Sequence, residues 1–233
     1  MEELILFLLR WLHFLAGITW IGLLYYFNLV QTPFFAETEP AVRSGAVQKL
    51  VPRALWWFRW GAMFTFLSGI LIYLIMWHRQ GDTFFHGPYG LAITLGGLLG
   101  TIMFLNVWLV IWPNQKIVIQ STTQVAQGGQ ALPEAAGAAR RAALASRTNV
   151  VFSIPMLFFM GAASHYPALV RQVTGGALAG WILFGWGVVA LVEINALVGT
   201  QGTTKQPLDT IKGTLLAGFV LAVYFWLLYT ILF

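Results

Sequence analysis

The sequence predicts an all-α fold: a polytopic membrane helix bundle of about six transmembrane helices, in a single domain over residues 1–233. Three observations predict it. First, 58% of the 233 residues are hydrophobic and only 9% are charged, whereas a soluble domain carries about 25% charged residues. Such a chain cannot cover a water-facing surface, so lipid must solvate most of it. Second, six apolar runs reach the roughly 20 helical residues that a bilayer core about 30 Å thick requires. Third, these runs are continuous, unlike the short alternating segments of a membrane β-barrel.

The helices are expected near residues 4–29, 57–77, 90–112, 149–170, 177–199 and 211–232. The first follows Glu2 and Glu3 and no small-residue cleavage site follows it, so it reads as a retained helix and not a signal peptide. The second follows a loop with Arg43, Lys49 and Arg53, and Arg59 lies just inside it. The third carries Gly96, Gly97 and Gly100, which permit close helix contact or the approach of a flat ligand. A long cytoplasmic loop is expected at about 113–148, with Lys116, Arg140, Arg141 and Arg147. Within it, PEAAGAARRAALAS (Pro133–Ser146) is either a helix lying on the membrane surface or a helical linker. Pro155 in the fourth helix frees a backbone carbonyl and predicts a kink. The fifth holds Glu193 in an apolar stretch, GVVALVEINALVG, and Lys205 and Lys212 precede the bulk of the sixth.

The basic residues sort to one side, the other having only Arg10, Arg79 and Arg171. The positive-inside rule then predicts a multi-pass protein of the cell membrane with both termini outside the cytoplasm. The net charge of +5 is accounted for by that asymmetry, and no nucleic-acid partner is expected. With no cysteine, disulfides, thiolate metal sites, iron–sulfur clusters and covalent c-type haem are excluded.

Ionisable residues inside a membrane are costly and therefore point to function. The expected topology puts the four histidines in an outer layer. His13 lies deep in the first helix and His165 near the outer end of the fourth. Each is either an axial ligand of haem iron or a histidine hydrogen-bonded to a neighbouring helix. His78 and His86, beside Trp77, Arg79 and Tyr89, read as interfacial polar residues. An inner layer holds Asn28, Arg59, Asn106, Arg147, Asn149, Glu193 and Asn195. These form either a polar cup open to the cytoplasm, in which arginines bind an anionic ring, or a structural network of Arg–Glu pairs and asparagine hydrogen bonds. Most of the 11 tryptophans lie close to helix ends, as membrane-belt residues do.

Four segments in order resemble the membrane-bound urate oxidase N-terminal family. They are LLRWLHFLAGITWIGLLYYF (Leu8–Phe27), WFRWGAMFTFLSG (Trp57–Gly69), NVWLVIWPNQKIV (Asn106–Val118) and SRTNVVFSIPMLFFMGAASHYP (Ser146–Pro167). The resemblance implies oxidation of a small planar anionic substrate such as urate, with electrons passing via b-type haem to a cytochrome c. The family's helical domain is followed by a cytochrome c domain; this sequence ends at Phe233 without one, so the expected outlet is a separate cytochrome c or respiratory complex. Urate-oxidising members have His-Asn-Asn where this chain has Thr148, Asn149 and Val150, and tend to have Glu where it has Gly61. The resemblance carries over His13, Arg59, Asn106, Arg147, Asn149 and His165 as candidates.

In the first helix, W-x-H-x-x-A-G-x-x-W-x-G also resembles membrane haem proteins of the protoporphyrinogen oxidase type, whose helix 1 histidine ligates haem. A paired intramembrane lysine expected there is absent from the third helix.

These features together give a membrane oxidase. Arg59, Arg147, Asn106 and Asn149 are expected to bind substrate, Glu193 with Arg59, Arg147 and Asn149 to serve catalysis, and His13 and His165 to hold haem b. The alternatives are a non-catalytic haem b electron-transfer subunit and a cofactor-free transporter or scaffold.

Overall fold

The computed structural model describes residues 1–166 and 173–233. The described residues are helical with short connections, and no strand occurs among them. Six helical spans are long and apolar enough to cross a membrane: Glu2–Glu37, Val51–His86, Pro88–Ala126, Ala135–His165, Gly175–Leu197 and Ile211–Leu232. This is consistent with a membrane protein. Arg171 and the expected end of the fourth helix, residues 167–170, lie outside the described residues.

Successive spans alternate in direction. One end of the bundle holds the connections at residues 38–50, 127–134 and 198–210; it is called the hairpin end below. The other holds both termini and is called the terminal end.

The fourth span is the centre. Its most apolar window is 67% buried, against 17% for the first and fifth spans, which face outward. Lipid tails are as apolar as leucine, so helices in a bilayer associate through close packing of small residues and through hydrogen bonds. Both devices are present. Gly96 of the third span lies against Met160 of the fourth, where a β-carbon would come within 2.9 Å of Met160 Cγ. Gly97 has nothing within 4 Å, so of this neighbouring pair only Gly96 serves packing. In the sixth span, Gly218 meets Val151 O, at 3.1 Å from a built β-carbon. Val151 O is the carbonyl whose intrahelical donor is removed by Pro155, and the helix continues through that proline.

The first and second spans form a pair that joins the centre through Tyr25 Oη–Ser153 Oγ (2.9 Å) and Asn28 Nδ2–Ser146 Oγ (2.8 Å). Gly61 sets their separation. A β-carbon there would lie 3.1 Å from the backbone nitrogen of Trp20 and 3.3 Å from Ala16 O. Backbone cannot rotate aside, so a side chain here would require the two helices to move apart by a few tenths of an ångström.

The loop expected at about 113–148 is corrected. The third span continues as helix to Ala126 and the fourth begins at Ala135, leaving 127–134 as the connection. At 1.5 Å per residue the 39-residue third span is about 58 Å long, well beyond the bilayer core. The fourth span's first turns pack on this extension through the buried Ala138, Ala142 and Ala145. Arg141 Nε donates to Asn114 Oδ1 (3.0 Å), and Ser121 Oγ accepts from Leu132 N (3.0 Å). PEAAGAARRAALAS is therefore mostly one arm of a helical hairpin, neither a surface helix nor a linker. Hydropathy marks only the apolar part of a helix and misses such polar extensions.

Gly61→Val is expected to destabilise the protein by about 1–3 kcal/mol, read as a lowered unfolding midpoint in detergent. Gly97→Ala should leave the midpoint unchanged.

Candidate functional site

Three arrangements divide the polar residues of the hairpin end. The first is a cavity of about 190 Å³. Its wall includes Phe27, Asn28 and Gln31 from the first span, Phe58 from the second, Gln115 from the third, Arg140, Ser146 and Arg147 from the fourth, and Asp209 before the sixth. Drug-sized pockets run to roughly 300–1,000 Å³, so this cavity takes a small molecule. A wide π-helical turn over Tyr26–Gln31 shapes one wall, a local distortion frequent at functional sites. Asn28 is oriented by its Nδ2, which donates to Leu24 O and Ser146 Oγ, both at 2.8 Å. Among the described residues nothing donates to Asn28 Oδ1, and Gln31 Oε1 is buried with no donor.

The cations on this wall are unequal. Arg140 is paired, its Nη1 donating to Asp209 Oδ1 at 2.6 Å and its Nε to Thr200 O at 3.0 Å. Arg147 is only 9% exposed. Its Nη1 makes two long contacts, to Leu208 O at 3.4 Å and Thr214 Oγ1 at 3.5 Å. Among the described residues no carboxylate lies within 4.0 Å of it. A guanidinium does not lose its proton in a protein, and a buried charge without a partner is expensive. The wall, with two arginines and one aspartate, carries a net charge of +1.

The second arrangement lies off the cavity wall. Asn106, on a π-helical turn of the third span (Asn106–Ile111), donates through Nδ2 to Asn149 Oδ1 (2.9 Å) and to Glu193 Oε2 (3.1 Å). Asn149 Nδ2 donates to Met103 O at 3.0 Å. The third, fourth and fifth spans are thus tied at one level. No Arg–Glu pair forms there: Glu193 has no cation within 4.0 Å among the described residues. Asn195 belongs to neither arrangement. It bonds Thr204, whose Oγ1 donates to Asn195 Oδ1 at 2.7 Å. Beside it the buried Lys205 donates to the carbonyls of Asn195 and Val198, closing the fifth span.

Arg59 is in the third place, at the seam of the second and third spans. Its guanidinium carbon lies 3.5 Å from the Trp112 ring centroid and 5.6 Å from that of Trp108. The expected single cup is therefore divided: Arg147 lines the cavity, Asn106, Asn149 and Glu193 form a network, and Arg59 stacks on tryptophan.

Toward the terminal end, His13 Nδ1 is 2.9 Å from Thr65 O and 3.2 Å from Ser68 Oγ. A carbonyl only accepts, so Nδ1 carries the proton, and in the neutral ring Nε2 keeps its lone pair. That is the state in which a histidine binds a metal, with its other ring nitrogen anchored to a carbonyl. Gly69 makes room for the ring, since a β-carbon there would come within 3.0 Å of His13 Cε1. His13 therefore fits an axial-ligand role. His165 closes the fourth span and is exposed; no hydrogen bond brings it to His13. His78 and His86 are also exposed.

Sequence reasoning missed Gln31, Gln115, Arg140 and Asp209 as wall residues. Gln31 and Gln115 stood beyond the expected helix ends, and the Arg140–Asp209 pair joins residues distant in sequence. A π turn leaves no periodicity that would have singled out Gln31.

A family model described as urate oxidase N-terminal matches residues 87–228, more than half of the chain. The match takes in Asn106, Arg147, Asn149, His165 and Glu193; His13, Asn28, Gln31 and Arg59 precede it. No curated protein and no solved structure matches the chain.

A double-mutant cycle on Asn106→Ala and Asn149→Ala is expected to give a coupling energy of about 0.6–1.7 kcal/mol, measured from unfolding in detergent. A coupling indistinguishable from zero would mean that the two amides do not bond.

Proposed function

Since the chain belongs to the urate oxidase N-terminal family, we propose that it is the membrane domain of a urate-type oxidoreductase that binds a planar monoanion in the hairpin-end cavity. The observation that carries this reading is Arg147, a buried guanidinium on a cavity wall with no carboxylate within 4.0 Å among the described residues, the wall's one aspartate being paired to Arg140. An anion of single charge, such as urate at neutral pH, balances the wall. Arg147 offers planar paired donors to such an anion. Asn28 and Gln31 supply the acceptors for ring N–H groups, and Phe27 and Phe58 line the space.

Oxidation by hydroxylation takes oxygen from water and releases protons and electrons in equal number. Glu193 lies off the cavity wall and does not touch substrate; Asn106 holds its carboxyl in place, and its assigned task is to take up and release protons. His13 would hold the iron of a b-type haem, with His165 as the second candidate ligand; when bound, haem supplies one-electron chemistry. The electron acceptor is a one-electron carrier of the cytochrome c class. The basic hairpin end faces the cytoplasm in this reading, so substrate enters from there.

The anchored His13 equally supports the second reading, an electron-transfer subunit without its own substrate. Urate binding separates the two. In the oxidase reading, wild-type protein in detergent binds urate and reduces an added cytochrome c with it, and Arg147→Ala weakens binding by at least about 30-fold. Reduction of cytochrome c by urate at wild-type rate in Arg147→Ala would remove the cavity as the active site. For the haem, a b-type optical spectrum is expected from protein made with ample haem, and its loss in His13→Ala. An unchanged spectrum in that variant would place the ligand elsewhere.

A further inference from the structure

The seam between the second and third spans carries cations that the cavity does not use. Arg59 lies flat over Trp112, and Lys116 Nζ is 5.6 Å from the same ring. Arg59 Nε donates to Leu55 O of its own helix at 3.2 Å. Among the described residues neither cation has a carboxylate within 4.0 Å. Stacking on an indole holds a guanidinium by its face and leaves its N–H edge for an oxyanion.

The surroundings identify the source of that oxyanion. Leu105 and Leu109, 43% and 67% exposed, lie on the outside of the third span shortly before Trp112 and Lys116. On the second span, Trp56, Trp57 and Trp60 are exposed, and the rings of Trp57 and Trp60 lie 4.9 Å and 6.3 Å from that of Trp56, centroid to centroid. Trp60 then meets Trp108 at 5.9 Å. An apolar face that ends in tryptophans and then in cations has the depth profile of a bilayer, from acyl chains through the interface to headgroups. Pro113, Asn114, Gln115 and Lys116 mark the change from apolar to polar on the third span.

We propose that Arg59 and Lys116, mounted on Trp112, bind the phosphate of an anionic phospholipid whose chains lie along Leu105 and Leu109. This site is separate from the cavity and does not depend on the proposed oxidation. It holds the seam between the first pair of spans and the third, on the leaflet at the hairpin end.

The test is native mass spectrometry of the detergent-purified full chain, titrated with phosphatidylglycerol or with zwitterionic phosphatidylcholine. Wild type should bind phosphatidylglycerol more tightly. Arg59→Gln and Lys116→Gln should each lose about fivefold in that affinity, with phosphatidylcholine binding unchanged, and the double variant should lose the preference. Arg43→Gln, which alters a cation stacked on Phe35 elsewhere, should keep it. Equal preference in wild type and the double variant would overturn the proposal, as would a loss in Arg43→Gln as large as in Lys116→Gln. If Arg59 variants fail to fold, Lys116→Gln decides alone, because that side chain is exposed. Release by inorganic phosphate at equal concentration would identify a general anion site and likewise overturn the lipid assignment.

Discussion

The whole arrangement depends on burying a polar helix in the middle of an apolar bundle. The fourth span places Arg147, Thr148, Asn149 and Ser153 in the interior, with Ser146 half-buried beside them. In lipid such groups cannot turn to solvent; Thr148 Oγ1 has no partner among the described residues and Ser153 Oγ donates to Val150 O of its own helix, but the remaining bonds reach neighbouring segments. Each partner then fixes a neighbour: Asn28 and Tyr25 draw in the first span, Asn106 the third, Glu193 the fifth, and the segment before the sixth closes over Arg147. Hydrogen-bond direction thereby sets helix register, which apolar contacts alone leave loosely specified.

Burial also divides labour among charged residues that look alike in sequence. Arg59 and Arg147 both begin apolar stretches. One finds indole rings at the lipid-facing seam and the other a wall whose single aspartate is paired to Arg140. Glu193, which seemed the natural partner of either, is satisfied by Asn106, whose single amide nitrogen bridges two oxygens. Proximity at one depth of a bilayer is thus a weak guide to contact, because a helix bundle is wider than a side chain is long.

What the sequence made legible follows the same physics. The six helices could be read because apolar runs of bilayer length have few alternatives. Asn106, Asn149 and Glu193 could be singled out because polar residues within such runs are conspicuous. Gln115 and Arg140 could not, because they stand in polar helix that continues beyond the apolar run, where hydropathy is indistinguishable from that of a loop. Gly61 illustrates the opposite error. The resemblance alone reads it as a lost acidic group, yet its place is set by packing, with the backbone of Trp20 and Ala16 3.1–3.4 Å from where a β-carbon would sit. The anchored state of His13 depends on Thr65 and Ser68 of another helix, a pairing that spacing within the first helix does not reveal.

The hairpin built from the extensions of the third and fourth spans has a mechanical consequence. Its two arms run without a break into the helices that carry Gln115, Arg140, Ser146 and Arg147. An α-helix is stiff over this length, so tilting the tip acts as a crowbar at the cavity wall, with the packed alanines as fulcrum. Whatever grips residues 127–134 from outside the bilayer would hold a handle on the aperture, with no need to reach the polar groups inside.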